Sequence, residues 1–458
     1  MNIVILYAIS EKEPRKTISD SLYCFSRYDK NNRYYYLNIY DVFSLRDASK
    51  EKKELQKISA IILHYSAVSM RYDVRWWRKN SKWIIEFLQS VDCERIVIPQ
   101  DEYNHTSELH RIIKEGGVHR IYTCAFPFDY EILYPKSLGY KRIETVFTGY
   151  VDEETEERIK ARSNISERPI DIGYRARKLP YWLGIHGQLK YILAERFKEY
   201  LESNESDLKC DIMNTDDSKE AFVGDDWIDF LLSCRTMLGC LGGSGLIDWD
   251  GTLRKEIDAF VDEHPDATYE DCEKRFFPGR DNEIHLFALS PRHFECAMAK
   301  TCQLLVEGDY CGVFLPGRDY IEIKKDFSNI DDVIERVKDQ EYCRQIAEQC
   351  YEDVVASKKY TYKAFVRRIV SDEIMDKGDE ELSTFEKLCK LSNVEVHGEY
   401  GVLNYRIIKE GGKYGIKRLM NPRYILLRVT KSAKSVVRRA LSKTDIYVQL
   451  RKLIYKEV

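Results

Sequence analysis

The first 150 residues alternate between short apolar runs and segments with a helical pattern of apolar residues. The apolar runs are residues 3–7, 60–65, 95–99, 120–125 and 145–148, and each is short enough to be one strand. Strands that alternate with helices predict a parallel sheet covered by helices. Because ligands of such sheets bind beyond the carboxyl ends of the strands, candidate site residues are expected there.

Two polar residues fall at these strand ends. His64 lies near the end of the second run, and Asp101 follows the third. A carboxylate or histidine in this position is a candidate general base for a hydroxyl group. Each also has an ordinary structural explanation, as a hydrogen-bonded histidine and as a turn or cap residue. The sequence leaves both interpretations open.

The second half of the chain contains one sharply defined junction between a strand and a helix. Residues 284–289 form an apolar run, Ser290 stands at the N-cap position and Pro291 at the first helical position. The free N–H groups of such a helix start can bind phosphate. Arg292 adds a positive charge, and Glu295 lies one turn further among apolar residues, where a carboxylate is expected to have a partner.

Two further segments predict contacts with phosphate. Arg175, Arg177 and Lys178 follow the run that opens the second half, and three neighbouring cations favour an anionic ligand. Gly243 and Ser244 belong to a glycine-rich loop, which can bring backbone N–H groups to a phosphate. The alternatives are cations paired with acidic surface residues and an ordinary turn.

Four segments of the chain resemble glycosyltransferases of the GT-B fold, in particular those grouped with spore maturation protein B. They are DIGYRARKLPYWLG (171–184), GGSGLIDWDG (242–251), SPRHFECAMAKTCQLLVEG (290–308) and LPGRDYIEIKKDFSNIDDVIERV (315–337). The resemblance implies an α/β protein of GT-B type, in which two Rossmann-like domains face a cleft. The resemblance also implies a specific function, which the pattern of strands and helices alone does not.

By this resemblance, the protein is a hexosyltransferase that moves a sugar from a nucleoside-diphosphate (NDP) sugar to a surface polysaccharide or glycoconjugate. The acceptor is a glycan or lipid-linked glycan, and no metal or further cofactor is expected. The residues implied in donor binding are Arg175, Arg177, Lys178, Gly243, Ser244, Ser290, Arg292 and Glu295. Glu295 would hold the ribose hydroxyls, and the others would hold the diphosphate. Asp101, His64 and Arg292 are the candidates for catalysis.

One position departs from the family pattern. The family has a second glutamate eight residues before the position of Glu295, and here that residue is Phe287. The departure keeps open an alternative function, in which a catalytically degenerate GT-B domain pair serves as a scaffold or binding subunit. Such a protein would act through its C-terminal tail at a membrane or a partner.

The expected domain order follows from shifts in composition. Residues 1–150 are expected to form the acceptor domain, 151–168 a charged linker and 169–375 the nucleotide-sugar domain. Residues 246–282 within that second domain are expected to form an inserted helical excursion. Residues 376–458 are expected to form a helical, basic extension.

Charge is unevenly distributed along the chain. The net charge is −4, yet residues 406–458 contain 15 lysines and arginines against 3 acids. A basic amphipathic helix is typical of a segment that binds an anionic membrane surface or packs on the protein body. Nucleic acid is not expected as a partner, because the tail lacks interleaved aromatic residues and the body is acidic.

Composition predicts a cytoplasmic protein, peripheral at the inner face of the membrane if the tail binds there. Thirteen cysteines include no C-x-x-C pair and no zinc-ligand spacing, which predicts reduced thiols and no structural metal. The apolar start lacks the basic region of a signal peptide. No apolar run approaches the roughly 18 residues that a membrane-spanning helix requires.

Overall fold

The computed structural model describes residues 1–9, 16–40, 42–162, 168–214, 222, 224–371 and 373–392. The basic tail at 406–458 and residues 163–167 of the expected linker lie outside the described residues. All thirteen cysteines are free thiols. Within the described ranges, no helix is both long and apolar enough to cross a membrane.

The first sheet has six parallel strands. They are β1 (Asn2–Tyr7), β2 (Arg33–Asn38), β3 (Ile58–Leu63), β4 (Glu94–Val97), β5 (Arg120–Thr123) and β6 (Arg142–Thr145), in the spatial order β2-β1-β3-β4-β5-β6. Strands β1 and β3 are buried along their whole length, as expected for a parallel sheet covered on both faces. The predicted parallel sheet is confirmed, although β2 was not predicted and β6 overlaps the expected run at 145–148 only at Thr145.

The second sheet has five parallel strands and is accompanied by a separate antiparallel pair. The strands of the sheet are β7 (Ile170–Ala176), β8 (Cys210–Asn214), β9 (Cys234–Gly239), β12 (Cys302–Val306) and β13 (Ile321–Ile323), in the order β13-β12-β9-β7-β8. The pair is β10 (Gly242–Ser244) with β11 (Leu286–Ala288). Two Rossmann-like α/β domains of the GT-B arrangement are therefore present, as predicted.

The antiparallel pair corrects two details of the prediction. The strand expected at 284–289 is only three residues long and lies outside the five-stranded sheet. The predicted glycine-rich loop is itself strand β10, paired with β11. Gly243 has φ +123°, and a Cβ there would lie 1.8 Å from the Leu286 carbonyl oxygen, so only glycine permits this close approach.

Helices cover both sheets. They are α1 (Lys16–Tyr28), α2 (Val42–Ala48), α3 (Lys52–Leu55), α4 (Tyr65–Val68), α5 (Val74–Ser90), α6 (Thr106–Glu115), α7 (Tyr130–Leu133), α8 (Glu153–Arg162), α9 (Gly184–Ser203), α10 (Asp225–Ser233), α11 (Thr252–Glu263), α12 (Tyr269–Phe276), α13 (Pro291–Met298), α14 (Ile330–Lys338), α15 (Gln340–Cys350), α16 (Tyr362–Ile369) and α17 (Ser383–Ser392). A π-helical segment, Tyr351–Ala356, continues α15.

The chain returns to the first domain after completing the second. Ile159 of α8 belongs to a core of the second domain, whereas Phe365 of α16 lies 5.9 Å from Phe25 of the first. Phe385 of α17 packs edge-on against Tyr35 of β2. Residues 362–392 thus pack on the first sheet because their apolar side chains complete its core. This placement differs from the expected boundary at 375–376.

Residues 246–282, called the strap here, form the expected helical excursion and attach to the first domain. The Asp248 N–H donates to the Tyr103 carbonyl oxygen at 2.7 Å, and the Ser107 N–H donates to the Trp249 carbonyl oxygen at 2.9 Å. Helices α11 and α12 belong to the strap. The strap therefore gives the two domains a connection separate from the covalent passage of the chain between β6 and α8.

Candidate functional site

The loop before α13 lies against the first domain. The His285 N–H donates to the buried carboxylate of Asp129 at 2.8 Å, and the Thr148 hydroxyl donates to the Leu289 carbonyl oxygen. Asp129 and Thr148 follow β5 and β6, at the carboxyl edge of the first sheet. The start of α13 is thereby placed where the two domains meet, which is the expected position of a ligand cleft.

Helix α13 begins as the sequence predicts. Ser290 is the N-cap residue with extended backbone, Pro291 occupies the first turn, and the His293 N–H donates to the Ser290 carbonyl oxygen at 3.1 Å. The Ser290 side chain makes no capping hydrogen bond among the described residues. The Ser290 hydroxyl is therefore not engaged in a cap, whereas Pro291 has no N–H and the His293 N–H is already bonded.

Glu295 has the partner that its setting predicts. The Trp227 indole nitrogen donates to Glu295 Oε2 at 2.8 Å. Burial raises the pKa of Glu295, while the Trp227 hydrogen bond and the charge of Arg292 oppose that rise. One carboxylate oxygen is thus fixed by the indole, and the other is left for a ligand.

Arg292 lies over two aromatic rings. Its guanidinium carbon is 5.2 Å from the Trp227 ring centroid and 5.7 Å from that of Tyr174. Among the described residues, no carboxylate lies within ion-pair distance of this guanidinium. A half-buried cation held by aromatic faces alone is available to an anionic ligand.

Lys190 of α9 is a second cation at this place. Its Nζ lies 3.6 Å from the position that a Cβ of Gly242 would take. Burial lowers the pKa of Lys190, and the nearby charge of Arg292 lowers it further, whereas Asp101 of the first domain raises it. No carboxylate of the described residues forms an ion pair with it. Lys190 and Arg292, called the cation pair here, therefore repel each other unless an anion lies between them.

The three cations after β7 do not form one cluster. Arg175 makes a bidentate ion pair with Asp211 of β8, at 2.8 and 2.7 Å, and lies over the ring of Phe230 at 4.3 Å. Arg177 and Lys178 are exposed. The alternative interpretation, an arginine paired with an acid, thus describes Arg175, because β7 and β8 are neighbours in the parallel sheet.

Ser244 is fully buried within its own turn. Its hydroxyl donates to the Leu246 carbonyl oxygen at 2.9 Å and accepts from the Leu246 N–H at 3.0 Å. Gly243 is held in the pair of β10 and β11. The predicted phosphate loop is instead a structural element, and the glycine nearest the cation pair is Gly242.

Asp101 is exposed and has an unusual backbone. Its φ is +49°, a left-handed backbone conformation that residues other than glycine rarely adopt. The fully buried Arg71 donates to the Asp101 carbonyl oxygen at 2.7 Å, and Tyr72 donates to the same oxygen at 2.9 Å. The Asp101 side chain accepts from the Tyr103 hydroxyl at 3.0 Å. The neighbouring side chains thus hold the strained backbone in place.

His64 has a structural position. Its Nδ1 lies 2.9 Å from the Ser66 hydroxyl and 3.3 Å from the Ser66 N–H, where it caps α4. Its Nε2 lies 3.1 Å from the Ser21 hydroxyl. The ring is 2% exposed, and burial lowers its pKa to about 3. With both nitrogens engaged, His64 has the structural position of a hydrogen-bonded helix cap, and its catalytic role stays a prediction.

Sequence reasoning missed several residues of this site. Lys190 lies in the middle of a long helix, where a lysine gives no signal of its own. Arg71 reaches the Asp101 loop from a segment 30 residues earlier. Glu102 is fully buried and accepts from the Cys124 N–H and the Tyr134 hydroxyl, each at 3.0 Å. Glu102 directly follows Asp101 in the chain, and its burial has no signal in the sequence.

No protein-family profile and no curated protein sequence matches the chain. Similar solved structures include Anabaena HepE in complex with UDP-glucose, at 9% identity and a TM-score of 0.42, covering 81% of this chain and 98% of that one. A glycosyltransferase from Rickettsia africae has 10% identity and a TM-score of 0.41, covering 85% and 98%. An alpha-glucosyltransferase in complex with UDP and an HMU-containing DNA has 11% identity and a TM-score of 0.46, covering 81% and 98%.

Two of these three structures are described as glycosyltransferases, and the chain is similar to them in architecture. All three TM-scores lie below 0.5, so the likeness assigns neither a substrate nor an activity to this chain. Within the described part of the chain, no group of three His, Cys, Asp or Glu side chains is arranged to hold a metal ion.

Proposed function

We propose that this protein is a glycosyltransferase that moves a sugar from an NDP-sugar to a glycan or lipid-linked glycan acceptor. The observation that carries the proposal is the cation pair of Lys190 and Arg292 beside the start of α13, with the carboxylate of Glu295 one turn further along that helix. Cations suit a diphosphate, and a fixed carboxylate suits the two ribose hydroxyls. The arrangement therefore fits a nucleoside diphosphate.

The donor would lie along α13. Its ribose would bind the free oxygen of Glu295, and its diphosphate would lie between the cation pair and the N-terminal end of α13, whose helix dipole favours an anion. Arg177 and Lys178, exposed after β7, would add positive potential at the rim of the site. Arg175 would act from further away, because its own charge is paired with Asp211.

Transfer breaks the bond between the anomeric carbon of the sugar and the diphosphate oxygen. The electron pair of that bond goes to the leaving diphosphate, and the charge that develops there is what Lys190 and Arg292 would stabilise. The acceptor hydroxyl forms the new bond to the anomeric carbon and loses its proton. Asp101, exposed in the first domain and within electrostatic reach of Lys190, is the proposed base.

A second candidate function is a scaffold of the same fold that no longer transfers sugar. The observation in its favour is Phe287, which stands where the resembling family has a glutamate. Its ring stacks on His186 with centroids 3.5 Å apart. Where the resembling family has a carboxylate that contacts the donor, this chain has an aromatic ring. The ring cannot accept the hydrogen bonds that a carboxylate accepts.

The test is binding and turnover with the purified full-length protein. Calorimetry with UDP, GDP, ADP and dTDP would identify the nucleotide, and release of that nucleotide from the matching sugar donors would report transfer or donor hydrolysis. We expect one nucleotide to bind and its sugar donor to be consumed. Binding without turnover, over a panel of acceptors, would favour the scaffold. A chain that binds none of the nucleotides would exclude the glycosyltransferase function and leave the scaffold.

A further inference from the structure

A continuous row of ring side chains crosses from the first domain to the second. Its members are Phe126, Phe128, His285, Phe287 and His186, called the aromatic row here. Successive ring centroids lie 5.3, 5.5, 5.6 and 3.5 Å apart, and the two end pairs are stacked while the two middle pairs meet edge to face. Phe126 and Phe128 lie after β5, His285 and Phe287 lie at β11, and His186 lies on α9.

The middle of the row is open to solvent. Phe128 is 61% exposed, and the side chain of His285 is 48% exposed. Covering an exposed phenylalanine ring with a ligand yields part of the roughly 1.5 to 3 kcal/mol that full burial of such a side chain provides. The backbone of His285 is fixed beside Phe128, because its N–H donates to the buried carboxylate of Asp129, the residue after Phe128, at 2.8 Å.

Polar groups accompany the exposed rings. His285 Nδ1 lies 3.9 Å from the Asp129 carboxylate, which sets the imidazole beside an acid. His186 lies further along the row, and its Nε2 is buried without a hydrogen-bond partner among the described residues. The exposed surface therefore consists of the aromatic ring of Phe128 beside the hydrogen-bonding imidazole of His285. A hydrocarbon chain needs only the faces, whereas a sugar ring, with its C–H face and hydroxyl edge, uses both.

The row also leads to the proposed reaction centre. His186 and Lys190 are four residues apart on α9, so they lie on the same side of that helix. The far end of the row, at Phe126 and Phe128, belongs to the first domain, where the acceptor is expected. A ligand that extends along the row would have one end next to the cation pair.

We infer that the aromatic row is a subsite for the saccharide rings of the acceptor, which makes the acceptor a glycan rather than a bare lipid. This inference rests on the proposed glycosyltransferase function. Phe128 contributes the open stacking surface, and the exposed imidazole of His285 contributes a hydrogen bond to a hydroxyl group. Phe287, at the position where the family has a glutamate, is a member of this surface.

The test compares Phe128→Ala with Leu315→Ala in the full chain. Leu315 is 46% exposed and is not a member of the row, so its removal controls for loss of an exposed apolar side chain. The probes are immobilised oligosaccharides of glucose, galactose, mannose and N-acetylglucosamine, and phosphatidylcholine vesicles that carry an isoprenyl phosphate. Nucleotide affinity of each variant is measured in parallel. Thermal melting confirms that each variant is folded.

We expect the wild type to bind at least one oligosaccharide, Phe128→Ala to weaken that binding about tenfold, and Leu315→Ala to leave it unchanged. Phe128→Trp, which keeps a ring, should restore it. Equal oligosaccharide binding by Phe128→Ala and Leu315→Ala would overturn the inference, as would binding to the vesicles alone or to neither probe. Nucleotide affinity is the separate readout, because its absence in the wild type contradicts the proposed function and not the saccharide subsite itself.

Discussion

The indole nitrogen of Trp227 donates a hydrogen bond of 2.8 Å to Oε2 of Glu295, across two helices that are 68 residues apart in the chain. The contact orients a half-buried carboxylate at the proposed donor site. It also opposes the rise in pKa that burial imposes on Glu295. The ribose contact proposed here therefore depends on a residue that makes no phosphate contact of its own.

Trp227→Phe removes this hydrogen bond and keeps an aromatic ring under Arg292. A hydrogen bond to a charged group contributes about 1.5 to 3 kcal/mol, so nucleotide affinity should fall about tenfold or more. Calorimetry with the nucleotide identified above measures the change. Trp76→Phe, on α5 of the first domain, is the matched control and should leave the affinity unchanged. Equal affinities in the two variants would show that Glu295 needs no orientation by the indole.

Glu295→Gln should lower nucleotide affinity at least about tenfold, because a neutral amide replaces the charged acceptor of two hydroxyl groups. The pKa of Glu295 is raised by burial. The wild-type affinity should therefore fall as the pH is lowered through that raised pKa, since the protonated acid is the weaker acceptor. In the Gln variant this acid-side fall should be absent. Glu348→Gln, a surface ion-pair residue, is the control.

Lys190→Gln should lower turnover more than nucleotide affinity, because the charge of the leaving diphosphate is greatest in the transition state. We expect a loss of about a hundredfold in kcat, by analogy with removal of one electrostatic stabiliser. Burial lowers the pKa of Lys190, so wild-type turnover should decline on the alkaline side at a lower pH than for an ordinary lysine. Lys198→Gln, on the same helix and paired with Glu195, should be neutral.

Arg71→Lys keeps the buried charge but loses the planar fork that bonds the carbonyl oxygens of Asp101 and Asn104. The free energy of unfolding should fall by about 1 to 3 kcal/mol. If the fork also positions Asp101, kcat should fall while nucleotide affinity is retained. Arg75→Lys, exposed on α5, is the control. A stability loss with unchanged kcat would assign Arg71 to folding alone.

The basic tail predicts membrane association by the full-length protein. Each lysine or arginine near an anionic leaflet contributes on the order of 1 kcal/mol, and the attraction is screened over about 8 Å at physiological ionic strength. The protein should sediment with anionic but not neutral vesicles, and added salt should release it. A chain that ends at Asn421 should lose this binding and keep its nucleotide affinity. Unfolding of the shortened chain would instead indicate that the tail packs on the body.

Much of the fold was predictable because apolar strands and their order are local signals. The runs that became β1, β3, β4 and β5 are apolar and end in turns. Strand β2, with the sequence RYYYLN, lacks an aliphatic run and was missed, since its burial comes from the neighbouring β1 and from α17. The return of residues 362–392 to the first domain was also missed, because nothing in a helix pattern specifies which sheet it covers.

The site was predictable only where a residue and its role are close in sequence. The start of α13 and the partnered state of Glu295 followed from the residues around them. The identity of the partner, Trp227, did not, because it comes from a separate helix. The cations after β7 illustrate the opposite error. Their clustering in sequence predicted one anion site, but Arg175 turns to Asp211 across the sheet, and the cations beside α13 that form no ion pair within the described residues are Lys190 and Arg292.

The strap gives the cleft a mechanical property. The domains are linked at the strap, by the bond of Asp248 to Tyr103, and again at the loop before α13, by the bonds of His285 to Asp129 and of Thr148 to Leu289. A motion that separates the domains would have to break these bonds together, and a hydrogen bond contributes about 1 kcal/mol. The strap therefore stiffens the cleft against opening.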